Sequence, residues 1–302
     1  MSDSFDLFAG HLGHLTPSQE SALIAFKAAL TDAKLYDAAS PTTDDATLLR
    51  FLRARGWDTT AALKQFSDAE AWRRKNDVVD LYSTFDADEF ENSRRYYPRW
   101  TGRRDKNGMP VYVYHLASMD SKIQKELNAV PQSRKYQRII ALYELMTRFI
   151  FPLCTHLPHP THPTPISCVV TIIDLQNISL GSMWSLRGHL AESAKLATAN
   201  YPETLSTIAV VNAPAFFPTI WGWIKGWFDQ GTRNKIHILG KNPAETLLTL
   251  IDAENLPKQY GGTLEWSFFS EPNLDDVTKE ALGGGELPKG PALFVDGAVS
   301  RP

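Results

Sequence analysis

Apolar residues recur at helical spacing through the first third of the chain. Thr16-Pro17-Ser18-Gln19-Glu20 offers a capping hydroxyl with proline at the first helical position, and Leu23, Ile24, Phe26 and Leu30 follow. This predicts a helix running to about Lys34. After a polar stretch, Asp37 to Asp45, the run Ala46 to Arg55 places Leu48, Leu49, Phe51 and Leu52 on one helical face, and Gly56 ends it. A third helix, about Thr59 to Lys75, carries Leu63, Phe66, Ala69 and Trp72 on its buried face. Its basic end, Arg73-Arg74-Lys75, suits the helix dipole.

Beyond about Tyr96 the period changes. Asp105-Lys106-Asn107-Gly108 reads as a turn, and Pro110 to His115 as a short β-rich run. A helix over Ser133 to Phe151 follows, then Ser167 to Asp174, whose unbroken β-branched character marks a strand buried on both faces. A helix from about Met183 to Ala199, a strand Thr207 to Asn212, an apolar helix Phe216 to Phe228, a strand Lys235 to Leu239 and a helix Pro243 to Leu250 complete the series. Alternation of this kind predicts an α/β layer with a largely parallel sheet. From Trp266 onward, prolines and Gly283-Gly284-Gly285 predict an extended tail.

Composition narrows the function classes. The 302 residues are 43% hydrophobic and 22% charged, within the globular range, and the formal net charge of -3 argues against nucleic acid as main partner. Only Cys154 and Cys168 are present and the start carries no secretory-type run, so a reducing cytosol is expected and no disulfide framework. Apolar stretches stop short of the roughly 20 residues that a bilayer-crossing helix needs.

Catalytic signatures such as a Gly-x-Ser-x-Gly elbow, a phosphate-binding glycine loop or a His-Glu-x-x-His helix are absent from the sequence. Asp174, Glu203, Lys235 and His237 remain a set that strand ends could gather, each equally readable as a cap or surface charge. The run from Cys154 to His162 supplies thiol and imidazole groups for zinc or haem iron. Its spacing matches no standard finger, and its prolines predict an extended loop that metal would have to order. The segment Phe216 to Phe228 is apolar on nearly every side, with Trp221, Trp223 and Trp227 in one window. It is either a core helix or one with a face toward lipid, where tryptophan suits the polar–apolar boundary. Gly222 and Gly226 each lower helix stability by about 1 kcal/mol relative to alanine, which favours a mobile element.

Several separate motifs, in order, resemble the CRAL-TRIO family. They are Asp45 to Arg55, Tyr97-Pro98, Asp105 to Tyr112, Ile173-Asp174-Leu175, Tyr201-Pro202-Glu203, Val211-Asn212-Ala213-Pro214, Lys235 to Gly240 and Leu256 to Gly262. Within the family the chain is most similar to the phosphatidylinositol/phosphatidylcholine transfer proteins of secretory traffic. The resemblance implies an α/β fold: an N-terminal helical subdomain over 15–95, a lipid-binding domain with a mostly parallel sheet and a mobile gate helix over 96–265, and a C-terminal extension over 266–302. It implies a non-enzymatic, monomeric carrier without cofactor, holding one phospholipid as ligand, cytoplasmic with transient contact to internal membranes.

The same resemblance implies a phosphatidylinositol headgroup site at Arg55, Glu203, Thr232 and Lys235, with Glu203 serving mainly to orient Lys235. Gly56 stands where a basic residue often follows that arginine. The gate falls on Phe216, Phe217, Trp221, Trp223, Trp227 and Phe228. For a second ligand the matching positions are Tyr112 and Thr171, with Thr101 where a tyrosine and Val169 where a serine is expected. Both departures weaken a choline-phosphate site, so a sterol or other hydrophobe is expected ahead of phosphatidylcholine. The alternative reading is a carrier of haem or another small hydrophobic molecule, and a lipid hydrolase lacks an evident nucleophile–base pair.

Overall fold

The structure is a computed structural model that describes residues 8–38, 40, 42–119, 121–227, 230–240 and 242–302, with Ser121 and Trp227 described by backbone alone. Helices α1 (Pro17–Asp32), α2 (Asp45–Ala54) and α3 (Thr59–Lys75) start where the sequence offers caps. Thr16 and Gln19 form a reciprocal capping box, and Asp44 and Asp58 accept from Thr47 N and Ala61 N. Phe26, Phe51 and Phe66 meet edge to face in the core of this trio. The buried face of α3 runs through Ala62, Gln65, Phe66 and Ala69, whereas Leu63 and Trp72 are only half-buried.

Two short helices, α4 (Val78–Ser83) and α5 (Ala87–Ser93), lead into the sheet. Among the described residues five strands form it in sequence order: β1 (Arg99–Arg104), β2 (Pro110–His115), β3 (Val169–Asp174), β4 (Leu205–Val211) and β5 (Ile236–Ile238). β1 and β2 are antiparallel; all other neighbours are parallel. The β1–β2 turn is fixed by Asp105, whose Oδ1 accepts from Asn107 N at 2.9 Å and Met109 N at 2.7 Å.

Crossovers supply the helical layer: α6 (Ser121–Ala129), α7 (Gln132–Leu145) and α8 (Phe151–His156) between β2 and β3, α9 (Leu180–Asn200) between β3 and β4, then α10 (Phe217–Ile224) and α11 (Gln230–Asn234) before β5. The helix predicted from Ser133 to Phe151 instead continues to His156 through a π-helical turn, Met146–Ile150. Pro152 explains the turn: it lacks the N–H that an unbroken α-helix would require there, and its ring would press on the carbonyl four residues back.

After α12 (Ala244–Leu250) the chain is not the extended tail that its glycines and prolines predict. It forms α13 (Asp276–Ala281) and a hairpin of β6 (Leu293–Val295) and β7 (Ala298–Ser300). Trp266, Phe268, Leu274, Ala292 and Phe294 join the same core as the sheet. β1, which no alternation announces, is held by this segment. Arg99 donates to Phe268 O at 2.7 Å and Arg103 to Asn273 Oδ1 at 2.8 Å. Gly102 has φ +89°, and a Cβ there would lie 2.6 Å from the Asn273 backbone.

Candidate functional site

Between β2–β4 and helices α7, α9 and α10 lies a cavity of about 310 Å³. Its wall is mostly apolar: Ile173, Ile208 and Val210 from the sheet, Leu142 and Met146 from the α7 end, Met183 and Leu190 from α9. Phe217, Trp221 and Ile224 of α10 close one side, the first two ring-stacked at 6.4 Å. The apolar run that made this segment ambiguous in the sequence is thus divided. Phe217 and Ile220 are buried, Phe216 and Trp221 half-buried, and Trp223 turns outward. α10 ends at Ile224 in a short 3-10 turn, Lys225–Trp227, where the predicted helix was to continue. Phe228 lies outside the described residues, as does the Trp227 side chain.

At the other end the cavity becomes polar, and Arg55, Glu203, Thr232 and Lys235 all line it. Topology explains the convergence. β4 and β5 are parallel neighbours, so Glu203, just before β4, and Lys235, just before β5, occupy the same sheet end. Lys235 Nζ donates to Glu203 Oε2 at 2.7 Å, and the Lys235 backbone N–H is fixed to Thr232 O at 3.1 Å. Arg55 arrives as the residue ending α2, exposed, its guanidinium 3.4 Å from Ala54 O. Glu203 sits in the left-handed region, φ +56°, a conformation that costs a non-glycine residue free energy and concentrates at functional positions.

Three residues outside the sequence-derived set shape this end. Gln65 of α3 lines the cavity and donates to Thr198 O and Ala199 O, tying the N-terminal helices to α9. Arg53 is largely enclosed and donates to Gly10 O at 3.0 Å; burial lowers its pKa while Glu203 opposes that shift. His11 is pushed down to about 3, first by burial and then by the cations Arg53 and Lys235. Arg53 was visible as a second arginine in the run to Arg55. Nothing local in the sequence marks His11, which reaches the site from more than forty residues away.

The second-ligand set divides. Tyr112, Thr171 and Val169 line the cavity. Thr101 does not: it is fully buried between β1 and β2, with its hydroxyl donating to Val111 O at 3.1 Å. Burial also raises the Tyr112 phenol above its ordinary range. Two cavity residues outside the second-ligand set, Tyr143 and Tyr201, stack at 4.8 Å.

The possible catalytic gathering does not form as a unit. Glu203 and Lys235 meet, but Asp174 lies at the opposite end of the parallel sheet and His237 is exposed on edge strand β5. Asp174 is occupied structurally, accepting from Gln176 N, Asn212 Nδ2 and Tyr260 Oη. In the Cys154–His162 run, Cys154 is buried in α8 with its thiol pushed up to about 12 by burial, and His156 packs on Phe294. His159 and His162 are neighbours with ring centroids 5.7 Å apart. Among the described residues no three His, Cys, Asp or Glu side chains are placed to hold a metal ion.

Among the described residues no helix is long and apolar enough to cross a membrane. The CRAL/TRIO domain family matches residues 94–262, and the CRAL/TRIO N-terminal domain family matches residues 22–68. The chain is 36% identical to the Sec14 cytosolic factor of Schizosaccharomyces pombe over 85% of its own length and 86% of that protein. It is 32% identical to the phosphatidylinositol/phosphatidylcholine transfer protein SFH9 of Arabidopsis thaliana over 81% of its length, covering 41% of that longer protein. The solved structure of Sfh5 superposes with a TM-score of 0.61 at 17% identity, covering 87% of this chain and 93% of Sfh5, a likeness of fold. The chain belongs to the CRAL/TRIO family.

Proposed function

We propose that the protein is a phosphatidylinositol transfer protein, which encloses one lipid at a time and exchanges it at membrane surfaces. The observation that carries this reading is the Lys235–Glu203 ion pair in the wall of a mostly apolar cavity that Arg55 also lines. Acyl chains gain free energy by leaving water for such a wall. Lys235 spends one N–H on Glu203 and has others for a phosphodiester, and Glu203 and Thr232 offer partners to inositol hydroxyls. The relatives named for phosphatidylinositol/phosphatidylcholine transfer support the same reading.

The second lipid is a sterol or another hydrophobe ahead of phosphatidylcholine, because Val169 contributes no hydroxyl and Thr101 lies outside the cavity wall. The protein works by exchange, as a monomer in the cytoplasm with transient membrane contact, α10 gating the entrance, and it presents phosphatidylinositol to lipid kinases. Extraction of lipid from the purified protein tests the first step. Phosphatidylinositol recovered near one per chain is expected; protein that carries none after incubation with vesicles containing it removes the proposal.

A further inference from the structure

A smaller cavity, of about 50 Å³, lies where the N-terminal helices meet α7 and the end of α9. Three guanidinium groups line it: Arg50 of α2, Arg73 of α3 and Arg148 of the π-helical turn. Arg73 is neutralised, donating twice to Glu144 and facing Glu70 at 3.9 Å. The other two are not. Arg50 is 6% exposed and donates from Nη2 to the Thr47 hydroxyl at 3.2 Å, but its Nη1 has no hydrogen-bond partner, and among the described residues no carboxylate pairs with it. Burial lowers its pKa to about 10, a fall that Asp44 only opposes. Arg148 Nε is likewise without a partner, and its Nη1 stands 3.9 Å from Glu144 Oε2, beyond hydrogen-bond reach. A buried cation left without a counter-charge is costly, because its lost hydration is not replaced.

We propose that this cavity binds one tetrahedral oxyanion of the size of phosphate or sulfate, held by Arg50 and Arg148. A single water needs about 10–15 Å³ of such space, so the cavity accepts a group of several oxygens. Guanidinium offers paired N–H donors whose spacing matches an oxyanion. The Thr47 hydroxyl accepts from Arg50 and keeps its own O–H to donate. The competing carboxylate, Glu144, is already occupied, since Tyr201 Oη donates to it as well as Arg73. Arg148 stands on the π-helical turn, an irregularity that recurs at functional sites. The inference does not depend on the lipid-exchange reading, because Arg55, Glu203, Thr232 and Lys235 line the larger cavity and not this one. Tyr201 lines both, so the bound anion sits behind the wall of the larger cavity and braces the join between the N-terminal helices and the rest of the chain.

Equilibrium dialysis of the full chain against labelled inorganic phosphate, in a buffer free of other oxyanions, reads the site directly. Lys235→Ala should keep one phosphate per chain, because that substitution removes only phosphate caught at the headgroup site. Arg50→Met retains the buried stem without the guanidinium and should weaken this binding by at least about tenfold, and Arg148→Met should do the same. Sulfate should compete with phosphate, and chloride at the same concentration should not. Phosphate at ten times its half-saturating concentration should raise the melting temperature of the parent by about 3 °C and leave that of Arg50→Met unchanged. Arg148→Met, at a half-buried position, decides the matter if Arg50→Met fails to fold. Parent protein that binds no phosphate overturns the assignment. So does full binding by either folded arginine variant, and so does loss of all binding in Lys235→Ala, which would put the ion in the headgroup site. Chloride that displaces phosphate as well as sulfate does would overturn the oxyanion class.

Discussion

Lys235 and Glu203 are 32 positions apart in sequence and 2.7 Å apart in space, and the headgroup reading depends on that pair. Residue identities here were legible because each sits in a separate short motif. Their chemistry was less so, since Glu203's left-handed backbone and the enclosure of Arg53 and His11 are products of packing. Burial has a consequence that can be measured. His11 is lowered to about 3 and His189 to about 4 from an ordinary 6.5, burial being the first cause in each. As pH falls below about 6.5 the unfolded chain takes up protons that the folded histidines refuse, so stability declines toward the folded pKa values. The slope is up to about 1.4 kcal/mol per pH unit for each histidine. Urea unfolding between pH 7 and pH 5.5 should show it, and His189→Gln should make the decline shallower. An unchanged slope in that variant would exclude His189 as a source.

At the scale of elements, helices and strands with caps and regular periods were legible, and those defined by remote partners were not. α1 to α3 begin at Thr16, Asp44 and Asp58, residues whose capping chemistry is local. β1 reads Arg-Trp-Thr-Gly-Arg-Arg and exists as a strand because the C-terminal segment receives its arginines. The join between the N-terminal helices and the cavity was equally hidden. Arg73 of α3 holds Glu144 of α7 with two hydrogen bonds, at 2.6 and 3.0 Å, and Tyr201 Oη donates to Glu144 at 2.7 Å. Tyr201 in turn stacks on Tyr143 in the cavity wall. Glu144 is 1% exposed, so Arg73→Ala would strand a buried carboxylate and should cost about 3–5 kcal/mol in urea unfolding. The double change Arg73→Leu with Glu144→Leu should recover much of that loss. Equal destabilisation by the single and double variants would show that packing, and not charge, dominates the join.

For the whole molecule, the α/β layering and the largely parallel sheet followed from the alternation in the sequence, while the fate of the last 37 residues after position 265 did not. Glycines and prolines there conceal a segment whose aromatic residues finish the main core, with Tyr82 of α4 donating to Ala292 O at 2.7 Å. A chain truncated after Glu265 should therefore lose cooperative unfolding in a thermal melt monitored by near-ultraviolet circular dichroism. A truncated protein that melts cooperatively at the parent temperature would show the segment to be dispensable.

The proposed reading makes the cavity, its polar end and the aromatic helix one exchange device, and transfer of labelled phosphatidylinositol between vesicles tests that claim most directly. The account predicts that the parent protein moves the lipid and that Lys235→Ala lowers the rate by at least about tenfold, the loss of a charge-assisted contact to phosphate, while its melting temperature stays close to the parent's. Transfer by Lys235→Ala at the parental rate would contradict the account.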